Sequence, residues 1–253
     1  MTVHFVGAGP GAADLLTVRA VNLLRRAPVC VYAGTYLDAD VLSHCPPDAE
    51  LVDSQHLDLD QITARLVAAH DNGQDVVRLC SGDPSLYSAL AEQTRRLDRA
   101  GVPWDVTPGV PAYAAAAARL GRELTVPEVA QTVILTRAYA ESTAMPATED
   151  LAELARSRAT MVLHLAIRQT RRLAAELARS YGADCPVAVV SRATQPDELI
   201  LRGTLADIAD QVESAGLRQA AVILVGESLR ARDFVESHLY APRVRCVPTP
   251  ENF

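Results

Sequence analysis

Three glycine-rich segments hold the residues of this chain best suited to chemistry. They are Val6-Gly7-Ala8-Gly9-Pro10-Gly11-Ala12, Cys80-Ser81-Gly82-Asp83-Pro84-Ser85-Leu86-Tyr87 and Thr107-Pro108-Gly109-Val110-Pro111-Ala112. Glycine lets a ligand or a second backbone approach where a Cβ would collide. In the first segment Gly7, Gly9 and Ala12 fit a loose G-x-G-x-x-A dinucleotide fingerprint. A nicotinamide site also needs an acid closing the next strand, but that strand ends Tyr32-Ala33-Gly34 and the next acid is Asp38. Pro10 removes a backbone donor where a pyrophosphate would seek N–H groups. In the second segment Asp83 has two open readings. It accepts from the hydroxyl or ammonium groups of a ligand, or it is the N-cap of a following helix whose first turn Pro84 suits.

Other residue types exclude whole classes of chemistry. The 24 basic residues are all arginine, so lysine Schiff bases, pyridoxal-phosphate anchoring and a Walker A lysine are ruled out. The histidines (His4, His44, His56, His70, His164, His238) form no H-x-x-x-H pair, and neither a metal site nor a histidine-led triad is expected. His164, alternating in Leu163-His164-Leu165, is expected to pack or hydrogen-bond behind a pocket. Cys30, Cys45, Cys80, Cys185 and Cys246 are odd in number with no C-x-x-C spacing, so they read as buried small hydrophobes. A net charge of −7 and no basic block argue against a nucleic-acid partner. No apolar run reaches the roughly 18 residues of a membrane span, and the start has no basic n-region. A cytoplasmic protein is the default.

These loops must be positioned by the elements between them. Short β-branched runs alternate with amphipathic stretches of helical length, as in a parallel sheet with helical crossovers. Strands are expected at 3–6, 29–32, 50–53, 75–80 and 104–106. Helices are expected at about 15–24, from 59 to a C-cap at Gly73, at 86–100 and at 112–120. All three glycine segments then follow strand ends on one edge, where open α/β sheets place ligands. A hinge near Gly121 to Glu128 divides the chain into an N-terminal α/β domain (1–120) and a C-terminal one (121–253). The second half predicts strands at 132–136, 160–165, 187–191, 199–203 and 222–225, with a helix at 170–180. Ser191 to Pro196 reads as a turn rather than a crossover, so the second sheet should be mixed. The proline-punctuated tail after Leu239 should be irregular.

Taken together, F-V-G-A-G-P-G, V-V-R-L-C-S-G-D-P-S-L-Y, V-T-P-G-V-P-A-Y-A-A-A-A, L-T-V-P-E-V-A-Q-T-V-I-L-T-R and V-I-L-V-G-E-S-L resemble the ordered motifs of the tetrapyrrole methyltransferases. The resemblance runs from Val3 to about Leu229. Within the family, Y-A-G-T, L-G-R-E-L-T-V-P-E-V-A-Q-T-V-I-L-T-R and A-T-M-V-L-H-L-A resemble the branch acting at C11 of precorrin-4 or cobalt-precorrin-4. The resemblance implies a two-domain fold with S-adenosylmethionine in the cleft between domains, and a homodimer. Carried over by motif, Pro10, Gly82, Asp83, Leu86, Ala112, Leu165, Ala166, Ala193 and Leu224 would line the cofactor pocket, while Gly7 and Gly9 would shape the substrate trough. One departure is Pro111, where relatives often place serine or threonine after P-G-V, so a hydroxyl contact is lost there.

The implied substrate is a macrocycle bearing several carboxylates, for which arginine forks are fitting partners. Arg137, ending a predicted strand, and Arg122, near the hinge, are the expected ones, each with a surface role as the alternative. Tyr113 or Asp83 could act as a base, though solvent could also accept the proton. Rival readings are a nicotinamide oxidoreductase, a non-catalytic nucleotide-binding module, and within the family a diphthamide or ribosomal-RNA methyltransferase. The acidic balance disfavours the RNA substrate.

Overall fold

The computed structural model describes residues 1–34, 37, 39–138 and 144–237. Parts of Y-A-G-T, Asp38, His238, Cys246 and the tail after Leu239 lie outside the described residues. The first half is β1 (Val3–Gly7), α1 (Val18–Leu24), β2 (Val29–Tyr32), α2 (Ala39–Leu42), β3 (Glu50–Asp53), α3 (Leu59–Asp71), β4 (Val76–Cys80), α4 (Leu90–Ala100), β5 (Trp104–Thr107) and α5 (Ala112–Leu120). Its five strands form one sheet in the order β3-β2-β4-β1-β5, parallel throughout. Near-continuous apolar runs such as Val29–Tyr32 and Val76–Cys80 suit strands covered on both faces. One face packs Phe5, Val31 and Val76 against Leu66 of α3 and Leu97 of α4. The other packs Val6, Cys30 and Leu79 against Ala20 and Leu24 of α1.

Local signals set most helix ends. Asp58 and Gln61 form a reciprocal capping box at the start of α3, and Gly73 follows its end with φ +72°, the left-handed stop that glycine adopts cheaply. The helix expected from residue 15 starts at Val18, because Thr17 takes the cap and accepts from the Ala20 N–H at 3.1 Å. The helix expected from Leu86 starts four residues later. Tyr87 and Ala89 adopt φ +54° and +55°, and left-handed residues cannot propagate a right-handed helix.

The second half is β6 (Val133–Arg137), α6 (Leu151–Ala155), β7 (Thr160–His164), α7 (Thr170–Tyr181), β8 (Pro186–Ser191), β9 (Leu199–Thr204), α8 (Ile208–Ser214) and β10 (Ala221–Val225). The sheet order is β6-β7-β10-β8-β9. It is mixed: β6 and β7 run parallel, while the other three pairings are antiparallel. Met161, Leu163 and Ile223 face α7 and α8 on one side. On the other side Val162, Val190 and Leu224 meet Ala115, Ala116 and Ala117 of α5. The alanine run therefore lets α5 lie close on the second sheet, although it precedes the expected domain boundary. The short helices α2, α6 and α8 had no signal strong enough to predict them.

Candidate functional site

The order β4-β1-β5 sets the three glycine segments side by side, since β1 pairs with both neighbours and Gly7 stands opposite Cys80. Their backbones interlock. Gly9 and Gly82 exchange two hydrogen bonds, at 3.1 and 2.8 Å. A Cβ on Gly7 would collide with the Gly109 backbone and stand 2.8 Å from the Gly82 carbonyl oxygen. A Cβ on Gly109 would collide with that same oxygen and stand 2.8 Å from Gly7 Cα. Both glycines are required by close backbone approach.

Asp83 clamps this junction. Its Oδ2 accepts from the Gly109 N–H at 2.8 Å and its Oδ1 from the Ser85 N–H at 2.8 Å, with the Ser85 hydroxyl also donating. Burial pushes its pKa up, but the Ser85 and Gly109 hydrogen bonds outweigh it and hold the carboxyl below its ordinary value. The N-cap reading of Asp83 is therefore corrected: α4 begins at Leu90 with Ala89 before it, and the carboxylate ties two loops together.

The second half closes on the first loop through residues 192–195. The Ala12 N–H donates to Thr194 Oγ1 at 3.0 Å, and Gly11 packs directly on the Gln195 side chain. Glu198 holds that loop by accepting from the Thr194 N–H at 2.7 Å. It also meets Arg119 of α5 in a two-oxygen pair at 2.8 and 2.9 Å.

A third group assembles at the ends of β6 and β7. Arg137 and His164 are register partners. The His164 ring lies 5.4 Å from that of Tyr87 and 6.4 Å from that of Tyr113, the latter edge-on. His164 Nε2 is buried with no hydrogen-bond partner among the described residues, and burial lowers the pKa of the ring. Burial likewise raises the Tyr87 phenol, which Arg137 counteracts in part. Leu165 leaves the strand with φ +52° and is 69% exposed. Such an apolar side chain on a strained backbone calls for an explanation.

The structure thus gathers Gly7, Gly9, Gly82, Asp83 and the start of α5 at Ala112 on one edge. Pro10 bridges Gly9 and Gly11 beside the 192–195 loop. Leu86 is half-buried on the segment that carries Tyr87, and His164 of the second half meets both Tyr87 and Tyr113 of α5. Other expected residues sit differently. Ala166 is 1% exposed and packs on the opposite face of the second sheet. Leu224 (0%) and Ala193 (6%) are core residues beneath α5, and Leu224 is flanked by strands on both sides of β10. Arg137 donates to the Ala138 and Ala144 carbonyls and lines a cavity of about 480 Å³ with Met145, Glu149 and Arg172. Arg122 donates to the Ala231 carbonyl at 3.0 Å. Sequence reasoning missed Tyr87 as a partner of His164 and the docking role of Thr194 and Gln195. The alternation of β7, which puts His164 on the face of Val162, was the available signal.

These features fit a bound S-adenosylmethionine by the chemistry of their donor set. Exposed Leu165 and half-buried Leu86 and Ala112 offer apolar surface, and an ionised Asp83 fixes the loops.

One parallel and one mixed five-stranded sheet are joined by an alanine helix, with the glycine loops interlocked at the strand ends. The family model for tetrapyrrole (corrin/porphyrin) methylases matches residues 2–209, and the chain belongs to that family. A precorrin-4 C(11)-methyltransferase of Rhodococcus erythropolis is 56% identical over 95% of this chain and 97% of its own. A cobalt-precorrin-4 C(11)-methyltransferase of Methanocaldococcus jannaschii is 40% identical over 94% of this chain and 92% of its own. Among solved structures, a cobalt-precorrin-4 methyltransferase matches with a TM-score of 0.87 at 38% identity, covering 90% of this chain and 95% of that one. The uroporphyrin-III C-methyltransferase of Thermus thermophilus complexed with S-adenosylhomocysteine matches at 0.76 and 31%, covering 91% and 94%.

Proposed function

We propose that this chain transfers a methyl group from S-adenosylmethionine to C11 of precorrin-4, giving precorrin-5, in corrin biosynthesis. The observation that carries this reading is near-full-length similarity to relatives bearing that name. The cobalt form is the second reading, favoured by the close match to a cobalt-precorrin-4 methyltransferase structure; the lower sequence identity to relatives of that kind ranks it second. The protein is proposed to be cytoplasmic and homodimeric. Among the described residues no helix is long and apolar enough to cross a membrane. The division into 1–120 and 121–253 is kept, with α5 as the element that spans it.

The bound donor supplies a methyl group already activated by its sulfonium charge. The protein's part is alignment and exclusion of water. The Gly7–Gly82–Gly109 junction gives a tightly packed floor, because a Cβ on Gly7 or Gly109 would collide with the facing backbone and Asp83 ties the loops. Pro10, Gly82, Asp83, Leu86, Ala112, Leu165, Ala166 and Ala193 are the proposed donor-lining positions, with Leu224 supporting them from the core. Gly7 and Gly9 shape the trough, and Tyr113 faces it. Arg137 and Arg122 are the proposed forks for substrate carboxylates. Arg137 is the better placed, beside Tyr87 and His164.

Anaerobic steady-state turnover with precorrin-4 and with its cobalt form tests this reading. A higher kcat/KM for the metal-free substrate supports it. A preference for the cobalt form moves the assignment to the second reading, and no turnover of either rejects both.

A further inference from the structure

A buried polar atom without a partner is costly, so a native protein that keeps one has a use for it. His164 Nε2 is the one such buried side-chain nitrogen or oxygen atom among the described residues. Its surroundings are specific. Val162 and His164 share a face of β7, the face turned toward α5. Tyr113 of α5 meets the ring edge-on, and Tyr87 covers it at a tilt of 47°.

Tyr87 is itself held in an unusual way. It and Ala89 occupy the left-handed region, and so does Leu165 immediately after His164, which clusters strained backbone around one imidazole. Buried Gln93 pins the segment by donating to the Ser88 and Ala89 carbonyls, each at 3.1 Å. Gln93 is fixed in turn by buried Arg78, whose Nε donates to Gln93 Oε1 at 3.1 Å. Tyr87 remains 45% exposed, so its ring can swing from His164 without opening a core.

Resting on the proposed tetrapyrrole reading, we infer that His164 Nε2 is a hydrogen-bond acceptor for a pyrrolic N–H of the macrocycle, and that Tyr87 is the cover this N–H displaces. A neutral imidazole suits that task, because its protonated form has no lone pair to offer. Burial holds the ring neutral at physiological pH. The charged and titratable groups around it are few. Tyr87 comes from the 81–89 loop and Tyr113 from α5, while Arg137 is the neighbour on β6 and Glu149 lies beyond Tyr87. Asp83 turns its carboxylate to Gly109 instead, and β10 presents Val222 and Leu224 on this face.

The test uses the full chain with S-adenosylhomocysteine present and precorrin-4 as the titrated ligand. His164→Phe keeps a flat ring and removes the acceptor, and His164→Gln restores a polar atom. For His164→Phe the expected result is about a tenfold weaker dissociation constant for precorrin-4. S-adenosylhomocysteine affinity should be unchanged and the melting temperature no lower than wild type, because the variant removes an unpaired buried group. His164→Gln should recover part of the affinity. Wild-type affinity should fall as pH drops through the folded histidine value, which burial places below the ordinary value of about 6.5, while His164→Phe stays flat relative to it. Precorrin-4 affinity within twofold of wild type, or a lowered melting temperature with affinity intact, overturns the assignment and makes His164 a packing residue. A wild type that binds no tetrapyrrole fails both this inference and the reading beneath it. Binding with methylation at another carbon fails the C11 reading alone.

Discussion

Replacing Asp83 with alanine should destabilise the fold and weaken donor binding together, because the carboxylate serves as a clamp between loops. The structure gives it three donors: the Gly109 N–H, the Ser85 N–H and the Ser85 hydroxyl. Hydrogen bonds to a charged acceptor contribute about 1.5–3 kcal/mol each when shielded, and less where solvent competes. The Gly109 N–H is part-buried while the Ser85 groups are exposed, so the net loss should be about 2–4 kcal/mol. For a chain of this size that is a fall of about 4–16 °C in melting temperature. Asp83→Asn keeps one acceptor oxygen and should lose about half as much. The clamp also has a pH signature. Its folded pKa lies below the ordinary carboxyl value, so its contribution is fully present above the unfolded value of about 3.9. It is lost as pH falls through the lower folded value. The stability gap between wild type and Asp83→Ala should therefore be constant from pH 5 to 8 and close in strong acid. Calorimetric melts across pH, with donor titrations at pH 7, measure both effects. An alanine variant melting within 1–2 °C of wild type at pH 7 would refute the clamp.

Three further outcomes are expected. Gly109→Ala drives a Cβ into the Gly82 carbonyl, an overpacking cost of about 1–3 kcal/mol or more; a denaturant midpoint equal to wild type contradicts the interlocked junction. Arg137→Leu should raise KM for the tetrapyrrole about ten- to a hundredfold, equivalent to about 1.5–3 kcal/mol, with donor affinity held; a loss confined to the donor removes Arg137 from the substrate side. Wild-type stability should decline as pH falls below about 6.5, because the unfolded chain protonates His164 before the folded one does. His164→Phe should lose that part of the decline, and an equal loss of unfolding free energy between pH 7.5 and 5.5 in the two proteins, from denaturant titrations, would show the ring to be solvated.

Much of this molecule was legible in its residues. The β-branched runs located all ten strands within a residue or two, and the Ser191–Pro196 turn correctly announced a mixed sheet. The three glycine loops were assigned to one edge, and strand order put them there. What failed did so for tertiary reasons. Helical spacing from Leu86 looked continuous, but residues 87 and 89 are held left-handed by Gln93 and Arg78, whose reach across the sheet leaves no local trace. The cap that was one of two readings of Asp83 does not form; both stood open because a cap and a cross-loop clamp begin with the same Asp-Pro pair. That the alanine run packs on the second sheet also left no trace in chain order, since small residues suit any close helix–sheet contact. His164 was expected to pack or hydrogen-bond behind a pocket, and it packs against Tyr87 and Tyr113; its unpartnered nitrogen is visible only when every neighbour is in place.

The most direct test of the account is the fate of an isotopically labelled methyl group. Wild-type protein given precorrin-4 and S-adenosylmethionine carrying a 13C-methyl should yield one new labelled methyl on a quaternary carbon. Carbon NMR of the isolated product should place it at C11. Label at any other position, or no label in the macrocycle, would contradict the proposed function.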